Sequence, residues 1–67
     1  MYNRDLLEDA IRASGLRKHF IAKHLEMAYP TMLHKIHGET EWKISEVQKL
    51  SDLIGISPDQ RNTIFFG

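Results

Sequence analysis

Between Gly15 and Gly38, apolar residues recur at helical spacing on both sides of the short segment EMA at 26–28. Ile21 and Leu25 are four residues apart in the first half, and Met32 and Ile36 are four apart in the second. Residues four apart share one face of an α-helix, so each pair predicts an amphipathic helix. The other apolar positions of this segment are Leu16, Phe20, Ala22, Met27 and Leu33. The pattern predicts a helix-turn-helix, with helices over about 17–25 and 29–37 and a turn at 26–28.

The N-terminal segment has a helix-start signal and an apolar face of its own. Asn3 is a favourable N-cap residue, and Asp5 places negative charge in the first turn, where the helix dipole favours it. The apolar positions that follow at helical spacing are Leu6, Leu7, Ala10 and Ile11. We predict a helix over residues 4–14 that stops at Gly15.

A fourth helix is predicted after the polar connection 39–43. Its apolar face consists of Val47, Leu50, Leu53 and Ile54. Ser45 followed by Gln48 matches the capping-box pattern, in which each side chain accepts a hydrogen bond from the other residue's backbone N–H. The helix should therefore begin near Ile44 or Ser45 and end at Gly55.

The segment ISPDQ carries the clearest helix-start signal of the chain. Ser57 is the cap, Pro58 occupies the first helical position, and Gln60 completes a capping box. The predicted fifth helix covers residues 58–65. Because no strand pattern and no repeat is present, residues 1–67 predict a single compact all-α domain of five helices.

Charge is distributed unevenly along this chain, although the formal net charge is zero. Residues 10–38 carry five Lys and Arg residues against one Glu, and they hold all four histidines. The flanking blocks 1–9 and 39–67 are each acidic by two charges. Positive charge confined to one segment presents a basic face even on a neutral protein. The cations of this block are therefore candidates for phosphate contacts, the alternative being ordinary solvated side chains.

The residue types exclude several classes of function. The chain has no cysteine, and therefore no disulfide or thiolate metal site. His34 and His37 are one turn apart, but His19 and His24 face different ways and no paired carboxylate completes a metal site. No nucleophile–base set and no phosphate-binding glycine loop is present, so we expect neither an enzyme nor a cofactor.

The expected cellular location rests on two sequence patterns that are missing, a membrane-spanning run and a signal peptide. No apolar run is long enough to cross a bilayer, and the start MYNRD has no signal-peptide apolar region. We therefore expect a cytoplasmic protein with no membrane partner.

Dimerisation is expected because a chain of this length buries only about 60% of its unfolded surface. Phe65 and Phe66 cannot both point inward from the last turn of a short helix. One should close the core, and the other is a candidate for a dimer interface. Trp42 should pack over the junction of the third and fourth helices, the alternative being an exposed anchor for a partner.

These residues resemble the lambda-repressor/Cro type of helix-turn-helix domain, and in particular the small Cro-like regulators of phages and prophages. The similarity covers nearly the whole chain. It rests on GLRKHFIAKHLEM with Ala22 at the helix crossing, on TMLHKIHG, on Trp42, on SEVQKLSDLIGI, and on the SPDQ helix with its aromatic pair. It implies a five-helix domain that binds double-stranded DNA as a homodimer, with the third helix in the major groove, and that acts as a sequence-specific transcriptional regulator.

The resemblance also implies a set of DNA contacts. The base-facing positions are Tyr29, Pro30 and His34. Lys18 meets a phosphate at the start of the second helix, and Thr31 and His37 lie beside the backbone. The charge distribution adds Arg17 and Lys35 as candidate phosphate contacts.

Four residues depart from the family pattern and favour an alternative function. The family usually has glycine in the turn, where this chain has Glu26, and often has lysine where this chain has Glu39. Glu26 predicts a looser turn or a strained residue there. Tyr29 and Pro30 cannot make the bidentate base contacts available to other side chains. The alternative is a protein-binding antirepressor on the same fold, whose partner is a phage repressor protein.

Overall fold

A computed structural model describes all 67 residues and contains five α-helices and no strand. In chain order the helices are α1 (Arg4–Ser14), α2 (Lys18–His24), α3 (Tyr29–Ile36), α4 (Ile44–Ile54) and α5 (Pro58–Phe65). The all-α prediction is confirmed, and every helix boundary lies within one residue of its expected position. None of the helices combines the length and apolar character needed to cross a membrane.

Local hydrogen bonds and backbone conformation explain where α1 begins and ends and where α5 begins. The Asn3 side chain accepts a bond of 3.0 Å from the Leu6 N–H, and Gly15 ends α1 in the left-handed conformation with φ of 75°. Ser57 Oγ accepts from the Gln60 N–H at 3.2 Å, and Gln60 Oε1 accepts from the Ser57 N–H at 2.9 Å. The predicted caps of these two helices are confirmed.

The start of α4 differs from the prediction. Lys43 is the N-cap residue, and Glu46 Oε1 accepts a hydrogen bond of 2.9 Å from its backbone N–H. Ser45 is already the second helical residue, so it cannot cap the helix. The predicted Ser45–Gln48 box is therefore wrong. The side chain that accepts the hydrogen bond at the start of α4 belongs to Glu46, two residues before Gln48.

The core draws side chains from all five helices. Its members are Leu7, Ile11, Ile21, Ala22, Leu25, Met32, Ile36, Val47, Leu50, Ile54, Ile64 and Phe65. Both residue pairs that predicted the central helices, in α2 and in α3, belong to it. Burial of these pairs holds α2 and α3 against the rest of the domain. It also determines which faces of the two helices are exposed to solvent.

The aromatic residues divide between core and surface. Phe65 is buried, whereas Phe66 remains 59% exposed. Trp42 is half-buried and meets Phe65 edge-on at 5.7 Å, while Tyr2 stacks against Phe65 at 5.8 Å. The expectation that only one Phe closes the core is confirmed. The Trp42 ring packs inward from the α3–α4 connection onto α5, so it is not a freely exposed anchor.

Candidate nucleic-acid interface

Helix α3 has one buried face and one exposed face. Met32 and Ile36 are fully enclosed, and Ala22 of α2 is buried where the two helices pack together. Pro30 and His34 lie on the exposed side, as does Thr31. Residues four apart share a helix face, so burial of Met32 and Ile36 leaves these three predicted DNA-contacting residues on the outer side of α3.

The exposed face of α3 is the outer side of a helical cylinder and is convex in that sense. None of the four recesses on the molecular surface is lined by a residue of α3. Small-molecule sites are concave, so this face is unsuited to enclosing a small ligand. A convex helical face instead suits insertion into a groove on another molecule.

The turn between α2 and α3 is closed by a residue in the left-handed conformation. Glu26 has φ of 57° and is the only non-glycine residue with positive φ. Its N–H donates to the carbonyl of Lys23 at 3.1 Å, and the Met27 N–H donates to the carbonyl of Ala22 at 3.0 Å. This pair of bonds is a Schellman motif, in which the position held by Glu26 normally belongs to glycine. The predicted strained residue in the turn is confirmed.

Replacing Glu26 with Gly is expected to raise the free energy of unfolding by about 0.5–1 kcal/mol. Left-handed backbone costs a non-glycine residue roughly 1–2 kcal/mol, and the extra freedom of glycine in the unfolded chain offsets part of that gain. Urea denaturation measures the change. Glu26→Gln is the matched control, because it removes the charge and keeps the strain. Equal stability of the two variants would contradict this account.

Tyr29, the first residue of α3, is held by a stack against α2. The rings of His19 and Tyr29 lie 3.7 Å apart between centroids and are inclined by only 10°. Tyr29 is half-buried as a result, with one face of its ring covered. The sequence pattern did not reveal this contact, because the two residues are ten positions apart in different helices.

A carboxylate lies across the end of α3 beside two of the predicted contact residues. Glu39 Oε2 is 3.1 Å from His34 Nδ1 and 3.8 Å from His37 Nδ1. All three side chains are exposed. They do not form a metal site, since no group of three potential ligands has a suitable arrangement. Glu39 therefore places negative charge where the resemblance implies contact with DNA.

Lys35 does not lie on the exposed face. It is buried with 5% residual exposure, and Nζ donates to the Glu41 carbonyl at 2.9 Å and pairs with Glu46 Oε1 at 3.1 Å. Its position between Met32 and Ile36 directs it inward, toward the α3–α4 connection and the start of α4. The expectation that Lys35 contacts a phosphate is therefore wrong.

Of the other cations of the basic block 10–38, Arg12 lies on α1 and three lie on or next to α2. Lys18 Nζ is 2.8 Å from Glu8 Oε1 of α1, and its side chain is about one-third exposed at 32%. Arg17 and Lys23 are exposed and make no ion pair. With Lys35 buried and Lys18 shared with Glu8, the basic face is smaller than the sequence indicated.

Protein-family models, curated proteins and solved structures give no match to this chain.

The arrangement combines a convex helical face with a few adjacent cations. Tyr29, Pro30 and His34 lie along that face, with Thr31 and His37 beside them, while Arg17 and Lys18 lie at the start of α2. Such a surface offers hydrogen-bond donors, apolar contacts and positive charge to a grooved partner.

Proposed function

We propose that this chain is a sequence-specific DNA-binding transcriptional regulator with the lambda-repressor-like five-helix fold. In this proposal α2 and α3 form the helix-turn-helix, and α3 enters the major groove of double-stranded DNA. The observation that carries the proposal is the exposed, convex face of α3 above the buried Met32 and Ile36. The major groove is about 12 Å wide and admits an α-helix.

The roles of the contact residues follow their placement. Tyr29 donates a hydrogen bond from its hydroxyl or packs on a thymine methyl group, Pro30 packs only, and His34 donates from its ring to a base edge. Thr31, His37 and the α2 cations Arg17 and Lys18 contact the backbone. To contact a phosphate, Lys18 must first break its ion pair with Glu8. Breaking this pair costs little, because a partly exposed ion pair contributes only about 0–1 kcal/mol.

A homodimer on a palindromic site completes the proposal, with the two α3 helices about 34 Å apart. Phe66 is the candidate contact, because it is exposed beside Ile44, which is itself 76% exposed, and both line one surface recess. Exposed aromatic residues of this kind are frequent anchors of protein interfaces.

Replacing Phe66 with Ser is expected to weaken this dimer and to leave the fold intact, because Phe65 and not Phe66 closes the core. The loss should amount to a tenfold or greater weakening, on the order of what truncating a central interface residue produces. Sedimentation equilibrium measures it. The variant Thr63→Ser, an exposed change on α5 three residues before Phe66, is the control. Unchanged association of the Phe66 variant would remove this surface from the proposal.

The second candidate function is an antirepressor that binds a repressor protein through the same α3 face. Glu26 and Glu39 favour it, because both are exposed carboxylates close to the surface that DNA would meet. Burial of Lys35 and pairing of Lys18 favour it as well, since they reduce the charge available to phosphates.

Retardation of random-sequence duplex DNA at low salt separates the two functions. A DNA-binding regulator retards the duplex, and selection from a random pool then returns a palindrome or a half-site. An antirepressor leaves every duplex unretarded, which would overturn the first proposal. His34→Ala should change the selected sequence. The matched control is His24→Ala, another exposed histidine, which lies on α2 outside the α3 face.

A further inference from the structure

A groove between α1 and α5 combines an apolar floor with an acidic rim. It encloses about 490 Å³, and its floor includes Leu6, Ala10, Ala13 and Ile64. Asp9 and Asp59 stand at its edge, and both are exposed. Asp9 pairs with Arg12 at 3.0 Å, but both side chains of that pair are largely exposed, so Asp9 remains available to another cation. Nothing within the chain covers this groove.

Helix α2 presents a surface of the opposite character. It supplies Ile21 and Ala22 to the core, which leaves Phe20 on its outer side with 51% of its surface exposed. The Phe20 ring stacks loosely on His24 at 6.5 Å between centroids. Arg17 and Lys23 are exposed nearby on the same short segment. The outer side of α2 is therefore an aromatic side chain surrounded by positive charge.

We propose that Phe20 of one copy of this chain docks into the α1–α5 groove of a second copy. The apolar floor accepts the ring, and Asp9 and Asp59 face the cations Arg17 and Lys23 of the incoming helix. A desolvated aromatic anchor with charges of opposite sign around it is the common pattern of a specific protein contact. Both complementary surfaces belong to this chain, which is why the occupant is a second copy.

The two surfaces that meet are different, and the proposed contact is head-to-tail, with one groove and one Phe20 in each contact. A pair of copies still has one free groove and one free Phe20, so association can continue beyond two. The exposed face of α3 takes no part in it, and Arg17 is the one residue that this contact shares with the proposed DNA surface. The inference therefore stands whether or not the chain binds DNA, and it is separate from self-contact through Phe66.

Sedimentation velocity on the full chain tests this directly. The sedimentation coefficient of the wild type should rise with concentration, and added salt should suppress the rise because the contact pairs opposite charges. Phe20→Ser removes the anchor, and Ala13→Arg fills the groove and repels the incoming cations. Each should weaken association on the order of tenfold or more. Both positions are exposed, so the folds should persist, which far-UV circular dichroism verifies.

Mixing the two variants gives the sharper result. The Phe20→Ser chain keeps a working groove and the Ala13→Arg chain keeps Phe20, so the mixture should form a pair that stops at two copies. Phe66→Ser removes the separate self-contact proposed above, so these comparisons are also made in the Phe66→Ser background, where association through Phe20 should persist.

Three outcomes overturn the proposal. The first is a wild type that stays monomeric up to millimolar concentration. The second is association in the Phe66→Ser background that survives Phe20→Ser. The third is a variant mixture that fails to pair. None of these results bears on retardation of DNA, so failure here and failure of the proposed function are distinguishable.

Discussion

Replacing Lys35 with Met is expected to lower the free energy of unfolding by roughly 2–3 kcal/mol, the range for losing charged hydrogen bonds in a partly buried pair. Methionine keeps most of the packed stem but leaves the Glu41 carbonyl and the Glu46 carboxylate without their donor. Because Glu46 retains some contact with water, the loss falls below that of a fully enclosed pair. Urea denaturation followed by circular dichroism measures it.

Lys49→Met is the matched control, because Lys49 is exposed on α4 and makes no ion pair. Surface changes of this kind stay within about 0.5 kcal/mol. Equal effects of the two substitutions would mean that the Lys35 pair does not hold α3 to the start of α4.

Acid titration provides a second readout of the same pair. Burial alone would raise the pKa of Glu46, but hydrogen bonds from the Lys43 N–H and from Lys35 outweigh burial and lower it below its usual value of 4.5. The unfolded chain therefore binds this proton more readily than the folded chain does. The stability contributed by Glu46 is present above about pH 4.5 and is lost as pH falls through the lower folded pKa. Lys35→Met should make the free energy of unfolding less dependent on pH below about pH 4.5.

The sequence predicted helix positions well because helix ends depend on neighbours in the chain. Asn3, Ser57 and the glycines at 15 and 55 act through hydrogen bonds or backbone conformation within a few residues, and local pattern captures such effects. The error at Ser45 has the same origin. The Glu46 carboxylate accepts the hydrogen bond at the start of α4, and an ion pair with Lys35 of α3 holds it there.

The candidate interface was harder to predict because it depends on contacts between helices. Lys18 meets Glu8 across the α1–α2 turn, and the stack of His19 on Tyr29 joins α2 to α3. Neither contact has a signature in residue spacing. The burial of Lys35 does have such a signature, since a residue between Met32 and Ile36 is directed partly inward. A lysine is nevertheless expected at the surface because of its charge. Only the positions of Glu41 and Glu46 explain its burial.

Burial of Lys35 changes the expected salt dependence of DNA binding. Arg17 and Lys18 remain as cationic phosphate contacts, which gives four in a dimer. Each contact contributes about −0.9 to the slope of log affinity against log salt, so a dimer should lose roughly 150-fold in affinity between 50 and 200 mM salt. A monomer with two contacts should lose only about tenfold, whereas a third contact per chain would bring the loss for a dimer to about a thousandfold.

Fluorescence anisotropy on a selected duplex measures this slope, and substitutions assign it to residues. Arg17→Gln should make the slope shallower by about 2 in a dimer, because one contact is lost from each chain. Arg4→Gln, an exposed arginine on α1, is the control and should leave the slope unchanged. Lys35→Met, measured under conditions where it is folded, should also leave it unchanged. A slope that falls in this variant would place Lys35 at a phosphate after all, and a slope near zero in the wild type would favour a protein partner over DNA.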